Sequence, residues 1–218
     1  MSEIKQYSHP DVVAFMDNIG CPVSQQEIVQ VYPIYYPERR VFRVKSNSED
    51  QVIKVRPDDE KGRIEADKLK RLFASYTYSG GHFSKVGVTT LPDSDYLVFH
   101  MPYLGRNFIE LGTSLDLIEL NQSTTAQENF SGFTNQQICK LVDNLKSSQR
   151  NFANQHGIIH GDIMQTPSPN NVVYHSELNR LFLVDAEAMA SLTDETSARF
   201  DKQTKDLETW MYQYLLQS

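Results

Sequence analysis

Long apolar runs are missing from this chain. No segment reaches the roughly 18 consecutive apolar residues that a membrane-spanning helix needs, and the polar start, MSEIKQYSHP, has no apolar centre of the kind a signal peptide carries. Cysteine is scarce as well. Cys21 and Cys139 stand far apart with no CxxC and no paired histidine, which excludes a disulfide scaffold and a zinc site and fits a reducing compartment. Clusters of lysine and arginine are absent, and the net charge is −7. A general nucleic-acid binder is thereby excluded, whereas nucleotide binding, which needs only local charge, is not. There is no internal repeat and no long low-complexity tract. The expected flexible stretch is 121–135, NQSTTAQENFSGFTN, and the expected location is the cytoplasm. What is present is 39% hydrophobic residues in 218, enough for one globular unit or two small lobes sharing a cleft.

Residues 27–56 read as three strands, EIVQVYPIYY, RVFRVK and QVIKVRP, separated by the turn formers YPER and SNSED. Residues 60–76 follow as a helix, with Ile64, Leu69, Leu72 and Phe73 near helical spacing. Two further extended pieces, KVGVTTL and DYLVFHM, close the first hundred residues. The remainder is expected to be mainly helical. Ile138, Leu141, Val142, Leu145 and Phe152 mark a helix over 136–154 that Thr134 or Asn135 caps. NVVY and RLFLVD read as a hairpin, and a helix from about Phe200 carries Leu207, Trp210, Met211, Tyr214 and Leu215 as a core stripe.

The chemistry concentrates in 157–188, GIIHGDIMQTPSPNNVVYHSELNRLFLVDAEA. His160, Gly161 and Asp162 precede an asparagine pair at the head of one strand, and Asp185 ends the returning strand. Phosphoryl transfer needs such parts: a carboxylate to orient the attacking hydroxyl, and an amide with a second carboxylate to hold magnesium on the phosphates. A helix, tight loop and hairpin bring them together. His160 is read as a hydrogen-bonding residue that shapes the loop. Glu187 is either a second metal-associated carboxylate or the solvated start of the next loop. His9, His82 and His175 show no ligand spacing.

These motifs resemble the protein-kinase-like superfamily. HGD, then Asn, then VDAE is similar to its aminoglycoside phosphotransferase and choline kinase branch. The resemblance implies an α+β bilobal fold. Its small N-lobe, residues 1–101, has an antiparallel sheet plus one helix and covers the nucleotide; its reduced, mostly helical C-lobe, 102–218, carries the catalytic and metal-binding loops. It further implies ATP and Mg2+ as cofactors, held between the lobes. QVIKV resembles the third-strand lysine motif, which makes Lys54 the phosphate-contacting residue and Glu65, eleven residues on, its ion-pair partner. DYLVFHMPYLG resembles the last strand passing into the hinge, where the backbone around His100, Met101 and Tyr103 would meet adenine. Asp162 would be the catalytic carboxylate and Asn171 and Asp185 the metal ligands. Asn171 is preferred to Asn170 because it directly precedes VVY. Asp206 resembles the buried aspartate that braces the catalytic loop.

The chain departs from that pattern in two places. PIYYPERR contains no glycine, whereas the family lays a flexible glycine-rich turn over the phosphates. Eight residues, 163–170, separate Asp162 from Asn171, and the inserted MQTPSP should form a stiff bulge. With 33 residues after Asp185 and no APE motif, the chain resembles minimal kinases that some pathogenic bacteria deliver into a host cytosol, and the small kinase of the KEOPS complex. The expected activity is phosphotransfer, to a protein hydroxyl with or without an activating protein partner. The alternatives are a small-molecule kinase, adenylyl transfer, or a pseudokinase binding module.

Overall fold

Strand alternation organises the first of two units, Met1–Tyr103 and Leu104–Ser218, into which the chain divides. The structure, a computed structural model, describes residues 6–32, 38–45, 50–75, 87–91, 94–103, 108–111, 130–165, 168–169, 171–184 and 186–216. The class is α+β, with a five-stranded antiparallel sheet and, among the described residues, four helices.

In the first unit β1 (Ile28–Val31), β2 (Arg40–Lys45), β3 (Asp50–Pro57), β4 (Gly87–Thr90) and β5 (Tyr96–Pro102) form one sheet in the order β1-β2-β3-β5-β4. Central β3 pairs with both β2 and β5. Successive side chains of β3 alternate between faces. Ile53 and Val55 join Phe42 and Val98 in a core closed by Val12 and Met16, which belong to α1 (His9–Asn18). Lys54 and Arg56 point to the other face, which α2 (Glu60–Ser75) covers with buried Leu69 and Leu72.

Helix α1 lies outside the elements expected from the sequence, yet it carries a legible start signal. Ser8 Oγ accepts from Asp11 N–H at 3.4 Å, Asp11 Oδ2 accepts from Ser8 N–H at 2.8 Å, and Pro10 sits in the first turn. The Ser8 hydroxyl, which donates to Asp11 Oδ2 at 2.6 Å, and then the Ser8 N–H hold the Asp11 carboxyl below its ordinary value.

Close approach of α2 to the sheet requires a glycine. A Cβ on Gly62 would lie 2.4 Å from the carbonyl oxygen of Pro57 and 3.1 Å from Cδ1 of Leu97. Gly62→Ala is therefore expected to destabilise the protein by about 1–3 kcal/mol through overpacking, outweighing the roughly 1 kcal/mol of helix propensity that alanine gains. Urea denaturation checks this; an unchanged or raised midpoint contradicts it.

The second unit is built on α3 (Asn135–His156) and α4 (Asp194–Tyr214). A capping box between Thr134 and Gln137 starts α3. Gly157 ends it at φ 68°, a left-handed cap that suits glycine, with its N–H bonded to Ala153 O at 2.8 Å. Helix α4 starts at Asp194 and not near Phe200, because Thr193 and Thr196 form a capping box that stabilises an earlier polar first turn. Its stripe also needs correcting. Leu207, Met211 and Leu215 are buried, but Tyr214 is 51% exposed and stacks on Trp210.

This unit holds more strand than expected. The expected hairpin forms from β10 (Val172–His175) and β11 (Arg180–Leu183), paired Val172 to Leu183 through His175 to Arg180. Asn179, at φ 48°, lies in its turn and accepts from Tyr174 Oη at 3.0 Å. A third strand, β6 (Phe108–Glu110), adds to the other edge of β10, whose four residues are all buried. β7 (Ile158–His160) pairs with β12 (Met189–Ser191). The insertion forms a tight pair, β8 (Met164–Gln165) with β9 (Ser168–Pro169), not a simple bulge. No helix among the described residues is long and apolar enough to cross a membrane.

Candidate functional site

Residues of candidate function occur in each unit. In the first, Lys54 on β3 places Nζ 2.5 Å from Oε1 of Glu65 on α2. Glu65 is 3% exposed, a depth at which a carboxylate needs partners. A second cation meets it: Arg56 Nη1 donates to Glu65 Oε2, and Arg56 Nη2 lies 3.6 Å from Asp59 Oδ1. No sequence pattern singled out Arg56, although its i+2 spacing from Lys54 puts both on one face of the strand.

In the second unit four hydrogen bonds close a ring around the HGD loop. Asp162 N–H donates to His160 Nδ1 at 3.3 Å. His160 Nε2 meets Val184 O at 3.0 Å, Val184 N–H donates to Asn171 O at 2.9 Å, and Asn171 Nδ2 donates to Asp162 O at 3.2 Å. Only the neutral Nε2–H tautomer of His160 satisfies both of its contacts, since Nδ1 must accept while Nε2 donates. His160 is fully buried. Asn171 adopts φ 57°, a left-handed conformation that asparagine tolerates better than most residues, and this turns the chain into β10. The insertion therefore leaves its two ends in contact, because it folds back on itself as β8 and β9.

Among the described residues Asp206 makes no bond that braces this loop. It is exposed on α4, and Gln203, one turn earlier, faces inward instead: Gln203 Oε1 accepts from Ile163 N–H at 3.1 Å. The helical period puts i−3 and i roughly 60° apart, and the inward direction falls at Gln203 and Leu207, both buried. The residue type misled here, since an amide acceptor serves where a carboxylate was expected.

His100 and Met101 lie on β5, paired with Ile53 and Val52 of β3. His100 also faces Gly87 of β4, so its backbone has a strand on either side. The N–H of Tyr103 is bonded to Asp50 O at 3.0 Å. Its ring lies 3.5 Å from the guanidinium of Arg43, which grips Asp50 by two bonds of 2.7 and 2.6 Å. Those bonds hold the Asp50 carboxyl below its usual range. Asp185, Asn170, residues 121–129 of the polar stretch and the side chain of Glu187 lie outside the described residues.

Of the two expected magnesium ligands only Asn171 is described, and its donor chemistry suits that ion. With Nδ2 of Asn171 donating to Asp162 O, the ligating atom that Asn171 can offer is Oδ1, a hard oxygen of the kind magnesium prefers. Among the described residues no three His, Cys, Asp or Glu side chains form a metal-binding group.

No protein-family model matches the sequence, and no curated protein matches it. Among solved structures the chain is similar to that of the Cydia pomonella Granulovirus kinase, PK-1, at 13% identity and a TM-score of 0.44. The match covers 85% of this chain and 60% of that one, so this chain spans about three-fifths of that structure's length.

Proposed function

We propose that this chain is an ATP- and magnesium-dependent phosphotransferase with a protein hydroxyl as acceptor. The observation that carries the proposal is the hydrogen-bond ring joining His160, Asp162, Asn171 and Val184. It gathers a carboxylate-bearing residue and an amide-bearing residue at one loop closure, and it fixes the residue just before Asp185. The Lys54–Glu65 pair, whose carboxylate is buried and whose ammonium is partly exposed, supports the same reading by presenting an ammonium of fixed position for phosphate oxygens.

In this proposal Asp162 orients the acceptor hydroxyl and takes its proton as attack proceeds. Lys54 binds the nucleotide phosphates, and Glu65 keeps that ammonium in place. Asn171 and Asp185 would hold magnesium, which when bound neutralises charge on the phosphate oxygens. Positioning and electrostatics supply most of the rate.

Incubating the purified chain with radiolabelled ATP and magnesium tests this, with a cell lysate as one acceptor and a panel of aminoglycosides and amino alcohols as the other. Label in lysate proteins is the expected result, and label in the small alcohols alone moves the acceptor to that class. One observation favours a second reading, a binding module without turnover: PIYYPERR offers no glycine to bring backbone amides close to phosphates. The module reading predicts no transfer to any acceptor. A rise in melting temperature with ATP and magnesium, expected for the enzyme through preferential binding to the folded state, measures nucleotide binding separately from transfer.

A further inference from the structure

Glu65 is held from two sides, and Lys54 accounts for only one of them. Lys54 takes Oε1, while Arg56 takes Oε2. Arg56 Nη2 also approaches Asp59 Oδ1 at 3.6 Å, the oxygen that accepts from Gly62 N–H at 2.6 Å in the first turn of α2. One guanidinium thus links the end of β3, the start of α2 and the turn that carries Glu65. Exposure separates the two cations. The Arg56 side chain is 3% exposed and that of Lys54 is 15%, so Arg56 is the enclosed member and Lys54 the one that solvent reaches. A planar guanidinium with fixed donors constrains a carboxylate in a way that a rotating ammonium does not.

We propose that Arg56 is the positioning residue of this site: by holding Glu65 through its second oxygen, it keeps α2 docked on β3 and Lys54 in place whether or not nucleotide is bound. The structural half of this inference stands on the geometry; its kinetic half rests on the phosphotransferase reading.

Hydrogen exchange across α2, followed by mass spectrometry, tests the structural half in the wild-type chain, Lys54→Met and Arg56→Lys. Lys54→Met should exchange within about twofold of wild type, because Arg56 still holds Glu65. Arg56→Lys should exchange about tenfold faster or more, as a docking contact is lost. Equal loosening in both variants, or no change in Arg56→Lys, overturns the inference. If Arg56→Lys does not fold, the double variant Arg56→Met/Glu65→Gln, which leaves no unpaired buried charge from this pair, gives the same readout with Lys54 intact; slow exchange there also overturns it. In kinetics Arg56→Lys should raise KM for ATP about tenfold while kcat stays within about twofold, the pattern of lost ground-state positioning. A fall in kcat at unchanged KM counts against positioning. A wild-type chain that transfers nothing sinks the phosphotransferase reading, and the exchange data still decide the role of Arg56.

Discussion

Asp162→Asn is expected to lower kcat for phosphoryl transfer by about 10²–10⁴-fold, the usual share of a positioned acid–base group. The loop should survive the change. The ring that fixes it uses the main-chain N–H and C=O of Asp162, both of which asparagine retains. The melting temperature should accordingly stay within about 3 °C of wild type. Radiolabelled ATP turnover and a thermal melt check the two halves together. Full turnover in Asp162→Asn removes this residue from the mechanism, and a large loss of stability with lost turnover shows that its side chain serves the fold instead.

The second large effect is on stability. Glu65→Ala would leave Arg56, whose side chain is 3% exposed, facing Lys54 without the carboxylate that both contact. Breaking a buried pair from one side costs about 3–5 kcal/mol, which for a unit of this size corresponds to a fall in melting temperature of roughly 10 °C or more. Glu65→Gln keeps the shape and one acceptor oxygen and should lose less. Calorimetry distinguishes the two; a Glu65→Ala variant that melts like wild type shows the cluster to be energetically neutral.

The elements most legible in the sequence were those written in a single period. β3 was clear because QVIKVRP alternates, and α3 because Ile138, Leu141, Val142, Leu145 and Phe152 repeat on one face. The contact between Lys54 and Glu65 is legible only through the resemblance of QVIKV to the third-strand lysine motif, since the helical period alone does not choose Glu65 over its acidic neighbours. What escaped was tertiary in origin. β6 and β12 are three-residue strands with no pattern of their own, paired only because β10 and β7 offer edges. Helix α1 has a start signal in Ser8, Pro10 and Asp11, but its apolar face becomes compelling only once Ile53 and Val55 need a cover. Arg56 was invisible because the depth of a strand cation depends on the helix laid over it. Asp206 departs from its expected role because helical phase, not residue type, decides which side chain of α4 faces inward.

His160 carries a consequence of its own. Its imidazole is committed to a single tautomer by an acceptor at one nitrogen and a donor at the other, so a proton added at Nδ1 would point at the N–H of Asp162. The ring is therefore a built-in spectroscopic probe. Nitrogen-15 spectra should show one bare and one protonated ring nitrogen with a slowly exchanging proton, and two signals averaged into one would show that the ring does not hold this tautomer.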